Sequence, residues 1–424
     1  MPSLLQTQHD ACLAPAKGGI VSVRDALATG LAEAQPIVET ELVDLSAVAG
    51  RVLAEPIKAD DPLPRFDTSA MDGYAVDTAS LPEFVPIRLK VTGSIAAGRT
   101  VGSPVLRKGG AFRILTGAPI PAGANAVIAQ EEVCRDGNSI IFTRVPRPGD
   151  NIRRRGEDVG LGHSLIEAGT VMGPLQVGVA AACGYPGVRV LRRLRVAMFT
   201  TGSELRQPGE NIQPGEIYDA NRFILRGLLA KPWIDIIDLG SCIDRPSSLR
   251  AVFQTAAARA DVILSAGGVS VGDEDHVVDA FQLCGGRLWV RKVAIKPGKP
   301  LVLGKIADAT YVGLPGNPGA LFTTFKIMIE QILGARAGIK SGCAVERAAI
   351  ANFDWRGQPG RTTYLPAVQR GDADGFPLIE LLPGANSGRL HQLSCATGFV
   401  VIAPESEAVA RGDKIRWRPL EGHA

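Results

Sequence analysis

The chain has 424 residues and a formal net charge of +3, with 46% hydrophobic and 21% charged residues. The length predicts about two to four domains, and the composition is that of an ordinary globular protein. A charge this small, without a long run of lysine or arginine, does not favour nucleic acid as a partner. The N-terminus lacks the basic and apolar regions of a secretory signal, and no stretch has the pattern of a membrane span, so we expect no membrane partner.

The cysteines carry information about the cellular compartment. Seven of them are scattered along the chain, without a CxxC pair and without a Cys/His metal spacing. This distribution argues against a disulfide framework and against a zinc site. It fits a reducing environment, and we therefore expect a cytoplasmic protein.

The pattern of apolar residues changes along the chain. Residues 20–58 and 151–188 carry helical patterns and predict a split helical domain. Residues 59–150 between them hold short strand-like runs separated by turns, which indicates a β-rich insert. Residues 344–424 hold another set of short strand-like runs, which predicts a small C-terminal β domain.

Residues 189–343 alternate between strand and helix patterns. Runs such as RVAMFTTG (195–202) and DVILSAGG (261–268) read as strands, and helical patterns separate them. This spacing is typical of a doubly wound, mostly parallel sheet, whose ligands bind at the carboxyl ends of the strands. We therefore predict an α/β multidomain protein in which this region is the central domain.

The most informative run is LSAGGVSVGDED, residues 264–275. An apolar strand ends in Gly267 and Gly268, whose N–H groups can close around an anion, and Ser270 and three acids follow. The carboxylates would repel that anion unless a hard cation such as Mg²⁺ lay between them. The run therefore indicates a site for metal plus phosphate. The alternative is a polar loop in which Asp273 or Asp275 caps the next helix.

Three acids follow three consecutive predicted strands, and they are Glu204, Asp244 and Asp275. Parallel strands end at one edge of the sheet, so these carboxylates are expected on one rim, where they suit Mg²⁺. Each acid taken singly is explained better as a helix cap or a solvated residue. The coincidence at three strand ends is what favours a metal site.

Basic residues cluster in KVAIKPGKP, residues 292–300. Alternation places Lys292 and Lys296 on one face of a strand, and together with Lys299 they form a group of ammonium ions suited to phosphate or another oxyanion. The alternative is a solvated guard of an edge strand. The run GLPGNPGA (313–320) begins a helix, and it either cradles an anion on its N–H groups or forms only a rigid turn.

Eight motifs in order make the chain similar to one family. It resembles the molybdopterin molybdenumtransferases, bacterial molybdenum-insertion enzymes related to the E domain of gephyrin, from about residue 20 to 415. The motifs that carry the resemblance are FDTSAMDGYAV (66–76), ILTGAPIPAGANAVI (114–128), NIRRRGEDV (151–159), TTGSEL (200–205), GEIYDANR (215–222), SAGGVSVGDEDH (265–276), AIKPGKP (294–300) and GLPGNP (313–318).

The resemblance implies an activity and an assembly. Members of this family take adenylylated molybdopterin and molybdate, hydrolyse the adenylate in a Mg²⁺-dependent step that releases AMP, and leave molybdenum on the dithiolene. They are homodimers whose active site lies between the nucleotide-binding domain of one subunit and the insert of the other. The implied partners are therefore these substrates, a second copy of the chain and the molybdopterin adenylyltransferase.

The resemblance also implies roles for individual residues. The implied catalytic residues are Asp72, Thr116, Asp158, Glu204, Asp244 and Asp275, and the last three are also the implied Mg²⁺ ligands. The implied substrate-binding residues are Gly267, Gly268, Ser270, Lys292, Lys296, Lys299, Pro315, Pro318 and Ser387.

Three positions depart from the family pattern. Ser203 stands where many members have aspartate, and Arg245 stands where members often have a second acid. Pro366 stands near the place of a usual arginine in the C-terminal region. These changes are expected to leave the fold intact and to affect metal affinity and catalytic rate.

Two alternatives stay open at this point. An adenylyltransferase that makes the adenylylated pterin would share the domain at 189–335, but such enzymes commonly consist of that domain alone. A non-catalytic or weakly active scaffold is the second alternative, and the retained acids and lysines argue against it.

Overall fold

The computed structural model describes residues 19–98, 105–269, 276–340, 346–383 and 388–420. The chain divides into two compact units. Unit 1 consists of Met1–Ala54, Ala168–Gly173 and Gly187–Ala424, and unit 2 consists of Glu55–Glu167 and Pro174–Pro186. No helix among the described residues is both long and apolar enough to cross a membrane.

The regular elements are numbered in chain order. The strands are β1 (Thr40–Asp44), β2 (Ile57–Lys58), β3 (Thr68–Ser69), β4 (Gly73–Val76), β5 (Ile87–Ile95), β6 (Gly110–Ile114), β7 (Ala126–Ala129), β8 (Cys134–Asp136), β9 (Ser139–Phe142), β10 (Ile152–Arg153), β11 (Ser164–Ile166), β12 (Gly187–Leu191), β13 (Leu194–Thr201), β14 (Leu205–Arg206), β15 (Ile217–Tyr218), β16 (Ile234–Cys242), β17 (Val262–Ala266), β18 (Arg287–Val290), β19 (Ile295–Lys296), β20 (Val302–Ile306), β21 (Ala309–Leu314), β22 (Arg347–Ala351), β23 (Trp355–Arg356), β24 (Thr362–Ala373), β25 (Phe376–Leu381), β26 (Gly398–Ile402), β27 (Ala408–Val409) and β28 (Lys414–Pro419). The α-helices are α1 (Val23–Glu33), α2 (Pro174–Ala182), α3 (Ala220–Leu228), α4 (Pro246–Arg259), α5 (His276–Leu283), α6 (Pro318–Thr324), α7 (Glu330–Arg336) and α8 (Leu390–Ser394). A π-helical turn, Phe325–Ile329, joins α6 to α7.

The central sheet of unit 1 has six strands in the order β16-β13-β17-β21-β20-β18. The first four are parallel, and β20 is antiparallel to both of its neighbours. Every residue of β17 is buried, as expected for a strand covered on both faces. One apolar core contains residues of α3 and α6, and a second contains residues of α4 and α5. The predicted doubly wound, mostly parallel sheet is confirmed.

The segment that carries Lys292 and Lys296 does not form the single strand that its alternation predicts. It is divided between β18 and β19, because a hydrogen bond from the Ile295 N–H to the Val293 carbonyl closes a tight turn between them. The strand β19 then leaves the central sheet and pairs with β24, with Ile295 opposite Thr362. The prediction that Lys292 and Lys296 share one strand face is therefore wrong. The strand β20 was not predicted from the sequence.

The C-terminal part of unit 1 is a small β structure. Its strands follow the order β19-β24-β25-β22-β28-β26, and the additional pairing of β24 with β26 closes the sheet on itself. Trp417 fills its core together with Ala349, Val400 and Ile379. The prediction that the C-terminal region forms a small β structure is confirmed.

Unit 2 contains a six-stranded sheet in the order β7-β4-β6-β5-β9-β8. Its core includes Tyr74, Ile87, Ile128 and Phe142. The turn between β8 and β9 holds Gly137 at φ +58°, a conformation that suits glycine. These strands form the predicted β-rich insert.

The two segments expected to be helical contain little helix. Each holds one α-helix among its described residues, α1 in 20–58 and α2 in 151–188. The rest is turns and short strands, apart from a 3-10 turn at Leu45–Ala47. The apolar residues between the helices pair as strands instead, β1 with β12 and β2 with β11. The term helical was therefore wrong for this region, while the predicted domain boundaries stay a prediction.

Candidate functional site

Unit 1 contains a cavity of about 880 Å³ at the carboxyl ends of its parallel strands. Its lining residues come from the loops that follow β13, β16, β17 and β21, from β15 and the start of α3, from the loop after β19 and from the C-terminal β structure. The carboxyl edge of an open α/β sheet is the usual ligand position in this class of fold. The volume is within the range of small-molecule sites.

Glycines allow three of these loops to approach one another. A Cβ on Gly267 (φ +96°) would lie 2.4 Å from the carbonyl oxygen of Thr201, and a Cβ on Gly268 (φ +63°) would lie 2.3 Å from Val277 Cγ2. A Cβ on Gly316 would lie 3.3 Å from the Cα of Gly267. Larger residues would push these loops apart. Gly267 and Gly268, both predicted to bind substrate, line the cavity.

Two of the three predicted metal ligands also line the cavity. Glu204 follows β13, and Asp244 follows the neighbouring strand β16. The Glu204 carboxylate lies over Gly202, where a Cβ would come within 2.7 Å of both of its oxygens. Asp275 and Ser270 lie outside the described residues. Within the described part of the chain, no three His, Cys, Asp or Glu residues form a cluster that would hold a metal by themselves.

The basic residues that line the cavity differ from the prediction at three positions. Lys296 and Lys299 line the cavity, whereas Lys292 does not. Arg361 and Arg389, which the sequence analysis did not select, line it from the C-terminal β structure. The ion pairs found between described residues include none of these four side chains.

The loop after β21 supplies the prolines that were assigned to substrate binding. Pro315 and Pro318 line the cavity. Between them, Asn317 caps the following helix by accepting a hydrogen bond from the Gly319 N–H at 3.1 Å. Ser387, the last predicted binding residue, lies outside the described residues.

A buried carboxylate beside the cavity was missed by the sequence analysis. Asp219 is 1% exposed and accepts hydrogen bonds from Thr200 Oγ1 at 2.5 Å and from Ser241 Oγ at 2.8 Å. It also caps α3 by accepting from the Arg222 N–H at 3.1 Å. Asp219, which also lines the cavity, therefore joins β13, β16 and α3. The available signal was an aspartate immediately before a helical pattern.

Two buried side chains of the cavity wall have unused hydrogen-bonding atoms. Asn221, on α3, is 8% exposed, and Thr201, at the end of β13, is 4% exposed. Asn221 Oδ1 and Thr201 Oγ1 have no hydrogen-bond partner among the described residues. Buried polar groups are almost always paired, so these atoms point to a ligand or an ordered water. Sequence patterns could not reveal this, because it depends on what the fold leaves unpaired.

Unit 2 holds the three remaining predicted residues. Asp72 accepts hydrogen bonds from both the N–H and the hydroxyl of Thr116, at 2.8 and 2.7 Å. These bonds, the backbone one first, lower the pKa of Asp72 below its ordinary value and keep it ionised. Asp158 is exposed and lies on a turn whose backbone N–H bonds to the Leu63 carbonyl. The structure thus brings Asp72 and Thr116 into direct contact.

Comparison with known protein families identifies each part of the chain. Residues 21–184 match the MoeA N-terminal region (domain I and II), residues 197–335 match a probable molybdopterin binding domain, and residues 348–420 match the MoeA C-terminal region (domain IV). Together these models cover nearly all of the described sequence. They define the chain first as a protein with a molybdopterin-binding type of α/β domain.

Individual relatives agree over almost the full length. A molybdopterin molybdenumtransferase of Haemophilus influenzae is 34% identical over 385 residues, which is 90% of this chain and 94% of that protein. Molybdopterin molybdenumtransferase 2 of Mycobacterium tuberculosis is 34% identical over 88% of this chain and 93% of that protein. The crystal structure of a molybdopterin biosynthesis MoeA protein from Pyrococcus horikoshii superposes with a TM-score of 0.80 at 31% identity, covering 95% of this chain and all of that chain. The chain belongs to the MoeA family of molybdopterin molybdenumtransferases, and it is an enzyme of molybdenum cofactor biosynthesis.

Proposed function

We propose that this enzyme inserts molybdenum from molybdate into adenylylated molybdopterin, with Mg²⁺-dependent release of AMP. The observation that carries the proposal is the charge distribution of the 880 Å³ cavity. The carboxylates of Glu204 and Asp244 line this cavity at the strand ends, and the cationic side chains of Lys296, Lys299 and Arg361 line it as well. A phosphate-bearing substrate and an oxyanion need cationic groups, whereas a metal ion needs carboxylates, and this cavity offers both.

The donor set at the strand ends fits Mg²⁺. In this proposal Glu204 and Asp244 hold the ion together with Asp275, which lies outside the described residues. Mg²⁺ commonly uses one or two carboxylates and completes its coordination with water and substrate phosphate oxygens, so a three-carboxylate cage is unnecessary. When bound, the ion would neutralise charge on the phosphate and polarise the P–O bond that is hydrolysed.

The chain's own residues bind and orient the substrates. Lys296, Lys299 and Arg361 bind anionic groups, and as positive charges they stabilise the negative charge that develops on departing AMP. The backbone N–H of Gly268 supplies a further donor for an anion, whereas the N–H of Gly267 already donates to the Leu314 carbonyl. Together they hold the phosphate and molybdate close to each other, so that adenylate hydrolysis and metal insertion take place at one site.

The assembly and location are part of the same proposal. The enzyme acts in the cytoplasm as a homodimer, and Asp72, Thr116 and Asp158 of one chain serve the cavity of the other. The support is the family resemblance together with the fixed, ionised Asp72. Its substrate comes from a molybdopterin adenylyltransferase, which is the proposed further partner.

A reconstituted reaction tests the proposed function. The purified chain is mixed with adenylylated molybdopterin, molybdate and Mg²⁺, and AMP release and molybdenum bound to the pterin are both measured. We expect AMP and loaded pterin in equal amounts, and neither product without Mg²⁺. Formation of adenylylated pterin from ATP and molybdopterin would instead indicate an adenylyltransferase. A chain that binds the pterin but releases no AMP would be a scaffold.

A further inference from the structure

Asn221 and Thr201 combine two features among the described residues of the cavity lining, namely deep burial and an unpaired polar atom. Gln392 Oε1 also lacks a partner among the described residues, but Gln392 is only partly buried. Glu204, Lys296 and Lys299 are in contact with solvent, whereas Asn221 and Thr201 are more than nine-tenths buried. Each contributes to the cavity lining and keeps one polar atom without a partner among the described residues. An unpaired buried polar atom destabilises the unliganded protein, so a ligand that supplies the missing hydrogen bond binds more tightly.

The orientation of the Asn221 amide is fixed by the protein. Its Nδ2 donates to the carbonyl oxygen of Gly316 at 2.7 Å. The reversed amide would place two oxygens at that distance, which is repulsive. Asn221 Oδ1 is therefore the free atom, and it can only accept a hydrogen bond. Its ligand partner must be an N–H or O–H donor.

The positions of both residues are supported by hydrogen bonds to the buried carboxylate of Asp219. Thr200, which precedes Thr201, donates to Asp219, and Asp219 lies two residues before Asn221. Ser241 donates to the same carboxylate oxygen from β16. These bonds connect the start of α3 to the end of β13, and they restrict the position of Asn221. Such preorganisation is expected of a residue that selects a ligand.

We propose that Asn221 Oδ1 accepts a hydrogen bond from the amino group of a nitrogen heterocycle in the substrate, and that the Thr201 hydroxyl makes a second contact with that ring system. This assignment rests on the proposed function, whose substrate contains two amino-substituted heterocycles, a pterin and an adenine. Asn221 is then a specificity-determining residue. A site with a buried acceptor rejects ligands that lack the matching donor.

A binding cycle on the intact chain tests the proposal and identifies the ring. Affinities are measured by calorimetry for AMP and for purine ribonucleoside monophosphate, which lacks the amino group, and then for pterin-6-carboxylate and its 2-deamino analogue. In the parent chain, removal of the recognised amino group should weaken binding by about tenfold. In Asn221→Leu the same removal should change binding by less than about twofold, because the acceptor is gone.

A purely structural role of Asn221 gives a different result. Loss of its bond to Gly316 would weaken amino and deamino ligands equally, so the cycle would show no coupling, and the proposal would be wrong. Asn221→Asp keeps an oxygen acceptor but cannot donate to Gly316, and we expect it to retain the preference for the amino ligand. Failure of the parent chain to bind either amino-bearing probe would also overturn the proposal.

Thr201→Val provides an independent measurement with little risk to the fold. It should weaken the recognised ligand by several-fold. The matched control is Thr310→Val, because Thr310 is 3% exposed and lies at the opposite, amino end of β21; it should leave affinity unchanged. Equal affinities for the two variants would contradict the Thr201 contact. If the effects of Asn221→Leu and of removing the amino group are coupled but the reconstituted reaction releases no AMP, the proposed function alone is refuted. If AMP is released but these two effects are not coupled, this inference alone is refuted.

Discussion

The two edges of the central sheet carry acidic residues in opposite circumstances. At the amino edge, Asp261 precedes β17, and Arg192 and Arg195 donate to both of its oxygens at 2.7–3.5 Å. At the carboxyl edge, Glu204 and Asp244 line the cavity next to unpaired Asn221 and Thr201 atoms. At the amino edge the acidic side chain therefore stabilises the fold. At the carboxyl edge, polar groups remain that can bind a ligand.

The pairing of an acidic residue distinguishes a structural role from a functional role in this fold. Burial by itself would raise the pKa of Asp261, but hydrogen bonds from Arg192 and Arg195 outweigh that effect and lower the pKa to about 2. A carboxylate so strongly held has no capacity left for a metal or substrate. Changes at the amino edge should alter stability without altering chemistry, and changes at the carboxyl edge should do the reverse.

The largest effect is expected at the carboxyl edge. Asp244→Asn should reduce AMP release by at least about a hundredfold, because it removes a charge-stabilising ligand of the proposed Mg²⁺. The melting temperature should stay close to that of the parent. Asp308→Asn is a suitable control, since Asp308 is a fully exposed acid of the β20–β21 turn. Parent-like rates of Asp244→Asn at limiting Mg²⁺ would remove Asp244 from the metal site.

The proposed dimer predicts that two inactive chains can restore activity. Asp72→Ala and Asp275→Ala chains are each expected to be inactive, and random reassortment makes about half of the dimers mixed. Each mixed dimer then has one intact site, so roughly a quarter of the parent activity should return. The measurement is AMP release after co-refolding, with heterodimers quantified by two different tags. Mixed dimers that remain inactive would place unit 2's residues in the site of their own chain or outside it.

The lysines allow a comparison within one short segment. Lys299→Ala should raise the KM for molybdate by about tenfold, the order of one charged hydrogen bond. Lys292→Ala should change it little, because Lys292 lies outside the cavity lining. Both variants remove one ammonium from the same loop region, so overall charge cannot explain a difference. Equal effects would mean that the lysines act through long-range attraction.

The strands and loops near these lysines show which structural features could be predicted from the sequence. Apolar runs such as VILSA predicted the buried strand β17, and the glycines after it predicted a tight loop at the sheet edge. Alternation alone misassigned Lys292 and Lys296, since period-two spacing cannot reveal a three-residue turn that depends on long-range partners. The β-strand that follows that turn pairs with residues more than sixty positions away, near Thr362.

Other parts of the site could not have been found from local pattern. Arg361 and Arg389 reach the cavity only because the C-terminal β structure closes over the end of the central sheet within unit 1. Asn221 resembles any polar residue in the first turn of a helix until its bond to Gly316 is known. Motif resemblance supplied the roles of Asp72 and Thr116, whereas their direct hydrogen bonds required the structure.

At the amino edge, Asp261→Asn should lower stability and leave the kinetics of the folded enzyme unchanged. The native pKa of about 2 lies below the ordinary value of 3.8, so the carboxylate contributes stability above about pH 4 that is lost as pH falls toward 2. The contribution is about 2 kcal/mol at neutral pH. Urea unfolding monitored at several pH values should show the parent and variant converging as the pH falls. A difference in unfolding free energy that is independent of pH would exclude the ion pairs as its cause.

The smallest effect is expected from the departure at position 203, which precedes Glu204 at the carboxyl edge. Ser203 is exposed and has no carboxylate, so Ser203→Asp adds a hard oxygen ligand next to the proposed metal site. We expect the Mg²⁺ concentration for half-maximal AMP release to fall by a few-fold, since one charged ligand is added to a partly solvated site. Ser203→Asn has nearly the same size without the charge and should leave that concentration unchanged. If Ser203→Asp leaves the Mg²⁺ concentration for half-maximal AMP release unchanged, position 203 lies outside the coordination sphere of the metal. The serine at this position would then not lower the affinity for Mg²⁺.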